Sequence, residues 1–147
     1  MQIIIDDSAL QQKLEDAADK LADTTQLMQR ISMTLLNVPE ENFNAEGRPK
    51  WAGLSTAYAA KRKAGKILQV SGQLAGSMTP FHGTDYAGIG SNKVYAAIHQ
   101  FGGMAGRGHK VNIEARPYLP MDENGDLQQE AYVEVAETTD LYLKSTF

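Results

Sequence analysis

Between residues 10 and 35, apolar or small side chains return at alternating steps of four and three: Leu10, Leu14, Ala17, Leu21, Thr24, Met28, Ile31 and Leu35, with mostly Gln, Asp, Glu, Lys and Thr between them. That period lays one stripe along one face of an α-helix and suits no β-strand. It predicts a single N-terminal helix of about 28 residues, roughly 42 Å at 1.5 Å per residue. Such a helix is long for a chain of 147 residues, which has the size of one domain over 1–147. The stripe leaves two covers open, the chain's own sheet or another subunit, because steps of four and three serve both. Ala17 and Thr24 make a weak coiled-coil seam, which favours packing within the domain.

Ile3, Ile4 and Ile5 precede this helix as a brief β-branched strand, and Asp7 or Ser8 is placed to cap the helix start. From Asn37 to Lys50 the apolar period stops. Pro39, Asn42, Asn44, Gly47 and Pro49 read as a long mobile loop near 37–50, with Phe43 an anchor inside it. Trp51, Leu54 and Tyr58 follow, and Ser55 is a cap for a helix through Lys61, Arg62 and Lys63. The one tryptophan is expected to dock that helix on the core. Ile67, Leu68 and Val70 lead to Ser71, a second cap. Residues 77–82 and 86–90, joined by Gly83-Thr84-Asp85, read as a β-hairpin. Val94 to Phe101 reads as a short helix stopped by Gly102-Gly103, 102–110 as a second mobile loop, and Val111 to Glu114 as a strand pairing with the hairpin. A last helix from about Leu127 puts Leu127, Ala131, Val135, Thr139 and Tyr142 on one face.

This order predicts an α+β fold: a small, mostly antiparallel sheet covered by helices, with the long N-terminal helix among them. Composition narrows the function. There is no cysteine, which removes disulfides and thiolate metal sites. A net charge of -4 and a pI near 5.3 argue against a protein that coats nucleic acid, and no sequence-specific nucleic-acid binding is expected. The amino terminus lacks the basic start and apolar run of a signal peptide, and no stretch approaches the roughly 18 apolar residues of a membrane span. No membrane association is expected, and synthesis in the cytoplasm is.

Residues with chemical potential are scattered. His82, His99 and His109 share the second half with Asp85 and Glu114, but no two histidines stand four apart on one helix and no His-Glu-x-x-His occurs. Neither a metal site nor a cofactor is expected. Gly88-Ile89-Gly90 and the glycines of 102–108 lack the lysine of a phosphate loop, while capping explains the hydroxyls of Ser71 and Ser77. Lys61, Arg62, Lys63 and Lys66 form one basic run, Arg107, His109 and Lys110 another. Each is either a solvated face or a match for an acidic neighbour surface such as Glu40, Glu41 and Glu46.

Several segments in order carry a resemblance: Trp51-x-x-Leu54-Ser55-x-x-Tyr58-x-x-Lys61, Ile67-Leu68-x-x-Ser71-Gly72-x-Leu74-x-x-Ser77, Ile89-Gly90-Ser91-Asn92, Tyr95-Ala96-x-Ile98-His99-Gln100-Phe101-Gly102-Gly103 and Ala115-Arg116-Pro117-Tyr118-Leu119. Over about residues 43 to 120 the chain resembles the virion morphogenesis (tail completion) proteins of Mu-like and P2-like tailed phages and prophages. The resemblance implies a structural protein, not an enzyme, that acts at the tail end or in the neck where tail meets head. It also implies a homo-oligomeric ring, often hexameric in the broader connector type, with tail tube, tail terminator or neck proteins as partners. The expected location is the virion, after assembly in the bacterial host cytoplasm. Within that reading Phe43, Arg48, Arg107 and Lys110 are the expected interface residues. Trp51, Tyr95, Ile98 and Phe101 are expected in the structural core, and Arg116 as an orienting donor at the strand end. The reading from another class is a small metal-dependent hydrolase or nuclease using His99, His82 and Asp85.

Overall fold

A computed structural model describes residues 2–4, 8–21, 23–61, 65–69, 72–122 and 124–146. Ile5, Asp7, Arg62, Lys63, Val70 and Ser71, named above in the first strand, as caps or in the basic and apolar runs, lie outside that set. The chain is α+β, with three strands in one antiparallel sheet and two in another.

The long stripe is cut in two. Helix α1 (Ser8–Lys20) and helix α2 (Thr25–Ala45) are separate, which corrects the single N-terminal helix. The cause is local: the Asp23 carboxylate accepts hydrogen bonds from the Thr25 amide (2.9 Å) and hydroxyl (2.6 Å). A side chain bonded this way offers the backbone an alternative to the helical ladder, and Thr24 and Thr25 are weak helix formers. Those two bonds also hold the Asp23 carboxyl below its usual range.

Helix α2 then continues through Pro39 to Ala45, so residues 37–45 are helix and not the expected loop. An interior proline costs about 3 kcal/mol, but Val38 and Phe43 are fully buried here. Burying each contributes about 1.5–3 kcal/mol, so together they meet or exceed that cost. The helix ends at Glu46 in the left-handed region (φ 54°), followed by Gly47 at φ 103° with its amide on the Asn42 carbonyl (2.8 Å). A Cβ at Gly47 would lie 2.5 Å from Trp51 Cδ1, so the close approach requires glycine.

Strand β1 (Gln2–Ile4) pairs antiparallel with β3 (Ala87–Ser91), which also pairs with β2 (Met78–His82), giving the order β1-β3-β2. Ile89, on the central strand, faces Ile3 on one side and Pro80 on the other. Helix α3 (Thr56–Lys61) is short, with the Tyr58 amide on Ser55 Oγ (3.2 Å). Helix α4 (Ala96–Phe101) leads into β4 (Gly103–Ala105), and β4 pairs with β5 (Val111–Ile113) in a separate ribbon. This corrects the expected pairing of β5 with the hairpin. Gly102 and Gly103, at φ 72° and 139°, turn the chain straight from helix to strand, and 102–110 becomes one arm and the bend of that ribbon.

Helix α5 (Gln129–Thr146) lies antiparallel against α2: Asn42 bonds Gln128 just before α5, Thr34 meets Thr138 (2.7 Å), and Arg30 stacks over Tyr142 (5.3 Å). Helix α2 packs on β2 and β3. The core is one cluster that includes Leu10, Leu27, Ile31, Leu35, Phe43, Trp51, Ile89, Tyr118, Leu119 and Val135. Ala131, Val135, Thr139 and Tyr142 form the buried face of α5.

Candidate functional site

The segment Ala115-Arg116-Pro117-Tyr118-Leu119 has no ladder partner, so its backbone polar groups need other ones. Side chains supply them. The Arg116 amide donates to the His99 carbonyl (2.8 Å), while its guanidinium reaches the carbonyls of Ala52 (3.0 Å) and Gly53 (3.1 Å). Trp51 Nε1 donates to the Pro117 carbonyl (2.8 Å). Gln100, fully buried, accepts from the amides of Tyr118 (2.9 Å) and Leu119 (3.0 Å) through Oε1 and donates through Nε2 to the Met121 carbonyl (2.9 Å). Asn42, also buried, donates to the Tyr118 carbonyl (2.9 Å) and exchanges two amide bonds with Gln128 at 2.9 Å each. The Tyr118 hydroxyl donates to the Ala96 carbonyl (2.8 Å), and burial pushes that phenol well above its ordinary value. These bonds hold α2, α4, residues 51–53 and the 115–121 segment together.

From this brace the β4–β5 ribbon extends. Its strands pack chiefly on each other, and its bend carries Arg107, His109 and Lys110, all exposed. Among the described residues none of these three side chains has an ion-pair or hydrogen-bond partner. Met104 (51% exposed) and Val111 (53%) sit on opposite faces of the ribbon, as the register Met104↔Asn112, Ala105↔Val111 requires. At the root, Phe101 is 41% exposed.

Between ribbon and body runs a groove of about 590 Å³, walled by Leu54, Tyr58, Tyr95, His99, Val111 and Arg116 among others. His99 Nδ1 is buried there with no hydrogen-bond partner. Burial first, and the Arg116 guanidinium second, hold this imidazole below its ordinary value and favour the neutral ring. His82 and Asp85 stand at the β2–β3 turn, both exposed, and do not line the groove. Among the described residues no three His, Asp or Glu side chains converge as a metal site. None of the helices described is long and apolar enough to cross a membrane.

The expected interface and core residues fall into new groups. Phe43 is in the core, stacked on Tyr118 (5.2 Å) and edge-on to Trp51 (5.8 Å), because α2 carries it inward. Arg48 is tied down by Asn42 Oδ1 (2.8 Å) and by an ion pair with Glu41 (2.9 Å). Phe101 is corrected from core to surface: α4 turns Ala96 and Gln100 inward, leaving Phe101 outside. Trp51 is buried ahead of α3, while Tyr95 and Ile98 are half-buried. Glu46 accepts the Ile67 amide (2.8 Å), and Lys66 reaches the Asn44 carbonyl (2.9 Å), so neither is only a solvated charge. Ser77 Oγ donates to the Leu74 carbonyl (2.7 Å) and meets Ser91 Oγ (2.6 Å). Gly88-Ile89-Gly90 is the middle of β3. Gln100 and Asn42 are the residues that sequence reasoning missed; a lone amide inside the apolar Tyr95–Phe101 helix was the available signal.

The same braced block is where the chain's resemblance concentrates, and comparison with known proteins extends it across nearly the whole sequence. The phage virion morphogenesis family matches residues 5–144. The chain is 40% identical over 119 residues to Mu-like prophage FluMu G protein 2 of Haemophilus influenzae, covering 76% of this chain and 82% of that protein. It is 36% identical over 129 residues to the putative capsid assembly protein G of Escherichia phage Mu, covering 78% and 81%. Mu-like prophage FluMu G protein 1 of Haemophilus influenzae is 33% identical over 129 residues, covering 82% and 83%. No solved structure matches. With a match that spans both the brace and the helices it ties together, this chain belongs to the phage virion morphogenesis family.

Proposed function

We propose that the chain is a non-enzymatic structural subunit of a tailed phage, acting during particle assembly in tail completion or head-tail joining. In this reading it assembles as a ring, its neighbours being copies of itself and tail tube, terminator or neck proteins. The carrying observation is the family match over 5–144, together with a relative named as a putative capsid assembly protein. The geometry supports it. Conspicuous polar residues of the block, Gln100, Arg116 and Tyr118, have internal structural partners, while Arg107, His109 and Lys110, exposed and without side-chain partners among the described residues, sit on the ribbon. A ring closes through two different complementary surfaces on each subunit. A hydrolase or nuclease using His99, His82 and Asp85 has less support, since the groove that holds His99 includes neither partner.

The test is genetic. Deleting the gene from the phage that encodes it is expected to leave filled heads beside separate or unfinished tails, seen by electron microscopy. A normal yield of joined, infectious particles refutes the proposal. Metal-dependent hydrolysis that disappears in His99→Ala would support the enzymatic reading instead.

A further inference from the structure

A two-stranded ribbon by itself is at best marginally stable in water. Here β4–β5 carries exposed apolar side chains on both faces, Met104 on one and Val111 on the other. Residues 103–113 hold Arg107, His109 and Lys110 and no acidic residue, in a chain of net charge -4. These features describe an arm built to be covered, and its sign specifies what covers it.

The opposite sign is gathered elsewhere on the same chain. Glu41 of α2 and Glu130 and Glu137 of α5 act electrostatically on Glu134 of α5, with Arg48 the opposing cation. Arg48 is already engaged by Glu41 and Asn42. Glu134 Oε2 is buried without a hydrogen-bond partner, and burial together with the neighbouring carboxylates raises the Glu134 carboxyl above its usual range. The exposed Val133 (42%) lies on α5 three residues after Glu130 and four before Glu137, spacings that share one face of a helix. An exposed valine beside glutamates on one helix complements an arm with apolar flanks and a basic bend.

We propose that the β4–β5 ribbon of one copy docks on the acidic α2–α5 face of a second copy. Arg107 and Lys110 meet Glu134 and Glu137, and Val111 or Met104 covers Val133. The contact joins two different surfaces, so it propagates from copy to copy instead of closing as a twofold pair. The proposal rests on the reading of the chain as an oligomeric assembly protein and names its junction.

Charge reversal tests it on the full chain by sedimentation velocity. Wild type is expected to self-associate, more weakly as salt rises, since exposed charges are screened over about 10 Å at 0.1 M. R107E/K110E and E134K/E137K are each expected to lose association by on the order of tenfold or more, about 1.4 kcal/mol per tenfold. The quadruple variant is expected to regain it because both surfaces are reversed together, and an equimolar mixture of the two variants because each arm then finds a face of opposite charge on the other variant. The cysteine-free sequence permits a second readout that tolerates mild destabilisation: K110C mixed with E137C should give a disulfide heterodimer in preference to either homodimer. A wild type that stays monomeric and leaves that cysteine pair unlinked overturns the proposal. So does a reversal that leaves association unchanged, a quadruple variant that stays apart, or basic-arm binding to duplex DNA with no self-association. If deletion still blocks particle assembly in any of these cases, the junction fails while the assembly role stands.

Discussion

Replacing Gln100 by Leu removes a hub of three hydrogen bonds while keeping a side chain of similar size, so little cavity is left. Two of the orphaned groups, the Tyr118 and Leu119 amides, are buried with no route to water. An unsatisfied buried donor costs about 1–3 kcal/mol, so the pair costs about 2–6 kcal/mol. The Met121 carbonyl, only partly buried, adds less. Against a total stability of about 5–15 kcal/mol for a domain, the expected loss is on the order of 4 kcal/mol. Equilibrium urea unfolding followed by tryptophan fluorescence measures it well, because Trp51 is held on the Pro117 carbonyl, one residue from Tyr118. Phe101→Ala, on the same helix but on the solvent side, is the control and should change stability by less than about 1 kcal/mol, the surface class of substitution. A Gln100→Leu loss under about 1 kcal/mol, or one no larger than the control, would show that the amide is not the brace described.

Gly47→Ala should destabilise by about 1–3 kcal/mol, because φ 103° is strained for any Cβ and the new atom would meet both Trp51 and the Pro49 carbonyl; an unchanged urea midpoint would contradict this. Lys13→Ala, which removes the half-exposed pair with Asp140 (2.8 Å), should cost no more than about 1 kcal/mol and lose that effect in high salt. Glu134 has a folded pKa above the ordinary 4.5, so the folded chain binds more protons than the unfolded one, and stability falls as pH rises through the folded value. Glu134→Gln should therefore raise the Tm near pH 7, with the gain fading below pH 4.5; a lowered Tm at pH 7 would refute it. His99 has the opposite sign: its folded pKa lies below 6.5, so its contribution is present above that pH and lost as pH falls below it. His99→Asn should flatten the acid side of the stability profile, read from Tm against pH.

Much of the fold was legible where one side chain period governed burial. The stripe from Leu10 to Leu35 named buried positions correctly, including Met28, Ile31 and Leu35, yet could not reveal the break, because Leu21 and Thr24 keep the period while the Asp23 carboxylate interrupts the backbone. Pro39 hid the rest of α2. The continuing steps of Leu35, Val38 and Asn42 were the better guide, since apolar burial outweighs a proline when both are weighed in kcal/mol. Strand β5 lost its expected partner for a reason beyond pattern: three-residue strands carry too few side chains to specify pairing, and the glycine turn at 102–103 decides it. At the candidate site, Arg116 and Trp51 stood out by residue type. Gln100 and Asn42 did not, because the partners that tie them to the 115–121 segment lie 18 or more residues away in the chain and no local period encodes them.

The brace and the ribbon belong together mechanically. The ribbon's entry is tied where the Gly102 amide meets the Ile98 carbonyl (2.8 Å), and its exit where the Arg116 amide meets the His99 carbonyl (2.8 Å), so consecutive residues of α4 hold both ends. Helix α4 is in turn locked through Gln100 and the Tyr118 hydroxyl contact at Ala96. A docking arm whose root is already ordered loses less conformational entropy on contact than a free loop of the same length. Under the proposed docking, the buried polar residues serve association without touching a partner. In that case Gln100→Leu should weaken self-association under conditions where the domain remains folded, whereas Gly47→Ala, whose clash is with Trp51 and Pro49 and not with α4, should lower stability and leave association intact. Equal effects of the two variants on association would mean that the root does not set the arm.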